Sequence, residues 1–189
     1  MRTLTYQESK EWCEQAPLSM KVGQYAHLSY ESPTVFGMSI KMPLESGPVM
    51  ALGSGLLAFE ANVEFYGGLL WLANWDIGTP LVERAGLKII EQMRRGYGNC
   101  SSIENAPGNL FRTDEIADLH AFLCLPMLFG WDAYFVPRGT RYFAYVRSNG
   151  FLYLVTDEEE TYTRLLSHLA YWKPSPEVPS YVTSAGGSR

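Results

Sequence analysis

Asp76 and Asp132 each follow a tryptophan, in Asn74-Trp-Asp76 and Gly130-Trp-Asp132. An apolar setting penalises the ionised form of a carboxyl group, so its pKa rises and it can act as a general acid or base. With His120 as a proton carrier, these three form the candidate catalytic group, and hydrolysis of a small molecule is the chemistry they suit. The duller account is that each aspartate caps a turn or accepts bonds from nearby backbone N–H groups.

His120 and Cys124 stand four residues apart on one expected helix, which aims both side chains the same way. With Cys100 or His168 they supply zinc-ligand types. There is no Cys-x-x-Cys and no paired-histidine motif, so neither a metal nor a cofactor is expected. Cys100 follows Arg94 and Arg95 in a polar stretch, yet Asn99, Ser101 and Ser102 around it form no nucleophile signature. Arg94 and Arg95, in Arg-Arg-Gly-Tyr-Gly-Asn99, are candidate anion-binding residues through their guanidiniums and the neighbouring N–H groups. They close an expected helix, however, where the dipole alone favours basic side chains and Gly96 serves as a C-cap. No Walker-type loop or dinucleotide fingerprint occurs.

The elements that must position these groups centre on residues 113–172. Thr113 fits an N-cap, with Asp114 and Glu115 in the first turn. Ile116, Leu119, Phe122 and Leu123 recur at helical spacing, and Pro126 should kink or end that helix. Residues 131–136, 142–148 and 151–156 are aromatic, β-prone runs. Asn149-Gly150 suits a two-residue type I′ turn, which pairs Ser148 with Phe151 and Arg147 with Leu152. That register puts Phe143, Tyr145, Leu152 and Leu154 on one face and Tyr142, Val146, Tyr153 and Val155 on the other. With both faces apolar, the hairpin should be central in its sheet or covered by a partner, and Tyr142, Tyr145 and Tyr153 are candidate interaction residues. Thr156-Asp-Glu-Glu159 fits a capping box opening a last helix on Tyr162, Leu165, Leu166 and Leu169, stopped by Pro174.

Earlier in the chain, Thr5-Tyr-Gln-Glu8 is a second capping box, and its helix should run to about Gln15 with Trp12 as anchor. Residues 24–31, 35–42, 49–59 and 65–75 read as four strands. Thr79-Pro80 should open a helix ending at Gly96, followed by a long polar loop over 97–112. The element order is α-ββββ-α-α-βββ-α, an α+β fold with antiparallel sheet and packed helices. Residues 1–173 should form a single domain, with two subdomains (about 1–98 and 110–173) as the alternative. The Pro/Ser/Gly-rich tail over 174–189 is expected to be loosely held, though Tyr181-Val182 could dock.

Composition narrows the function classes. At 189 residues, 47% hydrophobic and 14% aromatic, the chain can bury a full core. The formal charge of −5 opposes nucleic acid and anionic membrane as partners. Three widely spaced cysteines are no disulfide framework, and the polar N-terminal stretch is no signal peptide, so a cytoplasmic setting is expected. The leading expectation is a non-enzymatic binding or protein-interaction domain using an aromatic sheet face, with a protein partner or self-association. The alternative is a small-molecule enzyme with a carboxylate/histidine pocket.

Overall fold

The computed structural model describes residues 1–15, 20–23, 27–61, 67–75 and 80–183. The fold is α+β, as the residue patterns require. Nine strands are present among the described residues: β1 (Arg2–Leu4), β2 (Met20–Val22), β3 (Leu28–Tyr30), β4 (Phe36–Lys41), β5 (Gly68–Asn74), β6 (Gly108–Phe111), β7 (Asp132–Pro137), β8 (Tyr142–Arg147) and β9 (Phe151–Thr156). Seven form one antiparallel sheet in the order β1-β6-β5-β7-β8-β9-β4, while β2 and β3 make a separate hairpin. Strands from both halves of the sequence interleave: β1 pairs with β6 and β4 with β9.

The helices are α1 (Tyr6–Glu14), α2 (Ser46–Ala61), α3 (Pro80–Gly96), α4 (Ile116–Phe129), α5 (Glu159–His168) and α6 (Ser180–Thr183). On one face of the sheet Met38, Ile40, Leu70, Phe135, Ala144 and Leu154 pack against Leu52, Leu56, Phe122, Leu123 and Leu165 from α2, α4 and α5. The other face carries Trp71, Tyr134, Phe143, Tyr153 and Val155, covered by Trp12 of α1, Leu28 and Tyr30 of the hairpin, and Val182 of α6. Both faces are therefore covered within one chain, in three layers. The segment after α5 returns along β4, where Ser39 and Ser175 exchange backbone bonds of 2.8 Å and close that sheet edge.

Several expectations need correction. The run over 49–59 is helical, not a strand. Val49, Leu52, Leu56 and Phe59 are all buried at near-3.6 spacing, so the stripe was present beneath misleading glycines. The loop expected over 97–112 contains β6, and β1 was not anticipated at all. Pro126 lies inside α4, which continues to Phe129 and ends with Gly130 in the left-handed region. A 3-10 turn over Thr113–Glu115 precedes α4, so Thr113 does not cap it. Thr156 does not cap α5 either. It is still in β9, opposite Phe36 and Tyr142, and Glu158 holds the cap position. The strand expected over 24–31 is found as Leu28–Tyr30, residues 24–26 lying outside the described residues. The capping residue Thr79 lies outside them as well.

The β8–β9 register also differs by one. Arg147 pairs with Phe151 and Tyr145 with Tyr153, leaving a three-residue loop. Gly150 has φ +85 and its N–H reaches Arg147 O at 3.1 Å, so one left-handed residue makes the turn where a type I′ turn needs two. A one-residue slip exchanges faces. Phe143 and Tyr145 consequently share a face with Tyr153 and Val155, and Tyr142 lies on the helix-covered face with Leu152 and Leu154.

Candidate functional site

A cleft of about 830 Å³ opens where one end of the sheet meets α1. Its helical wall starts from the capping box. Thr5 Oγ1 accepts from Glu8 N at 3.2 Å, and Glu8 Oε2 accepts from Thr5 N at 2.8 Å. These bonds favour the carboxylate and hold Glu8 below the ordinary carboxyl range, with Arg2 adding a smaller electrostatic contribution. Glu8, Glu11, Trp12 and Gln15 follow at i, i+3, i+4 and i+7, so one stripe of α1 lines the cleft. Gly108 lets the helix sit this close, because a Cβ there would stand 2.2 Å from Ser9 Oγ.

The opposite wall is set by strand parity. Leu110 pairs with Arg2, and Leu110 and Val136 both belong to the α1-side core. Side chains two residues on share a face, so Arg112 and Arg138 emerge on the same side, and all three arginines line the cleft. Glu115 is buried beside them and accepts from Arg112 N at 2.8 Å and from the Met1 nitrogen. Burial pushes its pKa up, but these donors and the Arg112 charge outweigh that, leaving it below the ordinary value. Tyr97 closes one end and donates to Asp118. Burial, then that bond and its charge, push its phenol up to about 12.

The carboxylates are thus engaged internally: Glu8 by Thr5, Glu115 by Arg112, and Glu11 by Gln7 Nε2 at 2.8 Å. Arg112 pairs with Asp114 and Glu115. Arg2 and Arg138 have no side-chain hydrogen bond or ion pair among the described residues. Among the described residues the cleft therefore presents two guanidiniums without a hydrogen bond or ion pair on one wall and two exposed carboxylates on the other.

The described residues among the sequence candidates do not line this cleft. Asp76 is outside the described residues. Asp132 starts β7 and accepts from Ser148 N at 2.7 Å, bracing the β8–β9 loop as the duller account has it. His120 sits between α4 and α2, its Nε2 within 2.9 Å of Met50 O and 3.0 Å of Ser54 Oγ. The Met50 carbonyl can only accept, so Nε2 carries the proton. Nine residues of helix, about 13 Å of rise, separate His120 from Phe129, and Asp132 lies beyond that end. Neither His120 nor Asp132 lines the cleft beside α1. Cys124 Sγ is 3.8 Å from His120 Nε2, but burial pushes its thiol up to about 11, away from thiolate chemistry.

Arg94 is buried. It donates to Asn109 Oδ1 at 2.9 Å, Ala106 O at 2.8 Å and Ser101 O at 3.4 Å, which commits it to the loop after α3 and corrects its role as an anion ligand. Burial lowers its pKa to about 10, with Glu91 opposing, so it stays charged at neutral pH. Arg95 is exposed beside Cys100 at a cavity of only about 80 Å³. Tyr142 and Tyr153 are 0% and 3% exposed, so an interaction face made of them is corrected to core. Tyr145 is half-buried and stacks on Tyr134 at 4.4 Å. Among the described residues no three His, Cys, Asp or Glu side chains could hold a metal, and no helix is long and apolar enough to cross a membrane.

No protein-family model, curated protein or solved structure matches the chain. The cleft itself was missed in the sequence, because it needs β1 and β6 paired. Its one legible part was the α1 capping box with Trp12.

Proposed function

We propose that this chain is a non-enzymatic protein-interaction domain that receives a segment of a partner protein in the cleft between α1 and the sheet end. The observation that carries this reading is the charge state of the walls. The acidic side chains are already hydrogen-bonded, while the Arg2 and Arg138 side chains make no hydrogen bond or ion pair among the described residues. Charged groups left facing each other across an open cleft favour a complementary polar partner over a greasy small molecule. The aromatic sheet face, expected at first to make the contact, instead serves as the floor on which α1 and the hairpin rest. For the alternative of a small-molecule enzyme, the two described members of its candidate group, His120 and Asp132, are each engaged in separate structural bonds.

Site-specific photocrosslinking tests this. A benzophenone side chain at Gln15, on the rim of the cleft, should give a discrete protein adduct in extract of the source cells. The same group at Ser167, on the far helical layer, should not. Identical adduct patterns from the two positions, or none from Gln15, would end the reading.

A further inference from the structure

We infer that the partner segment, on the protein-interaction reading above, is an extended peptide with alternating acidic and basic side chains. Three arginines, Arg2, Arg112 and Arg138, line one wall, and Glu8 and Glu11 stand on the other with Gln15 at their end. A purely acidic ligand meets repulsion at α1, and a purely basic one meets it at the sheet. An extended backbone resolves this, because successive side chains point to opposite sides. Its acids then face the arginines while its bases face the glutamates.

The dimensions agree. Arg2 belongs to β1 and Arg138 follows β7, three strands away in the order β1-β6-β5-β7. Three inter-strand spacings amount to about 14 Å, and four residues of extended chain cover about the same length. Acidic residues at i and i+4 of the peptide therefore reach both uncommitted arginines, with the residue at i+2 near Arg112. Trp12, 8% exposed, provides an apolar contact against the aliphatic stems of the peptide's longer side chains.

Two N-acetylated, C-amidated hexapeptides of equal composition test the idea: Glu-Lys-Glu-Lys-Glu-Lys and Glu-Glu-Glu-Lys-Lys-Lys. Calorimetric titration of the full chain at low salt should give tighter binding of the alternating peptide by about fivefold or more, declining as salt is raised. Arg138→Glu and Arg2→Glu should each weaken it about fivefold, the scale of one exposed charge pair. Arg138 is exposed and its side chain makes no hydrogen bond or ion pair among the described residues, so thermal unfolding of Arg138→Glu should match the parent. Equal binding of the two peptides, binding of neither, or an Arg138→Glu variant that binds as well as the parent would each overturn the inference. A Gln15 photoadduct obtained alongside such a failure would leave the interaction reading standing and remove only the alternating-charge peptide.

Discussion

Arg94 shows how one side chain organises a region that looked unstructured. Its guanidinium is 1% exposed and bonds three neutral acceptors in different directions, including Asn109 in the middle of β6. An ammonium cannot reproduce that fork, so Arg94→Lys should leave buried acceptors unsatisfied. Unfolding in urea should register a loss of about 1–3 kcal/mol, the range for leaving a buried acceptor unsatisfied. In the sequence Arg94 and Arg95 looked equivalent at a helix end. Which of them turns inward depends on a strand fourteen residues later, and local pattern holds no such information. The cysteines divide as sharply. Burial pushes Cys13 and Cys124 up to about 12 and about 11, whereas Cys100 is exposed. Iodoacetamide at neutral pH should alkylate Cys100 alone in the folded protein and all three after denaturation, as read by mass spectrometry.

Among the elements, α1 was legible and β6 was not, for opposite reasons. The α1 helix is specified by neighbours: Thr5 and Glu8 satisfy each other's backbone, and Trp12 anchors the inner face. Strand β6 is four residues long, contains a buried asparagine, and exists because β1, β5 and Arg94 surround it. Helix α2 stood between these cases. Its buried stripe was readable, but an uncharged glycine-containing run imitates a covered strand until its sixteen-residue length is weighed. The α1–β6 contact also yields a prediction. Gly108→Ala drives a Cβ towards Ser9 Oγ and to 3.0 Å from Leu4 Cβ. Overpacking of this kind costs about 1–3 kcal/mol. Urea unfolding should show that loss, together with weaker binding in the cleft, since its helical wall is displaced.

At the scale of the whole molecule, pH couples the cleft to stability. Glu8 and Glu115 have folded pKa values below their ordinary 4.5. A carboxyl so shifted binds fewer protons when folded. Its stabilisation is complete above the unfolded value and vanishes as pH falls through the folded one. The urea midpoint should stay level down to about pH 5 and then decline, and Glu115→Gln should make that decline shallower.

The interleaved strand order has a consequence for synthesis on the ribosome. Strand β4 finds its partner only when residues 151–156 have emerged, and β1 waits for residues 108–111. Helix α2 meanwhile has neither the finished sheet nor α4 to cover it, and residues 46–59 carry no charge. For about half of translation the nascent polypeptide therefore displays an apolar segment with nowhere to bury itself. Such a chain is a natural client for holdase chaperones, and slowing elongation lengthens the interval in which it needs them.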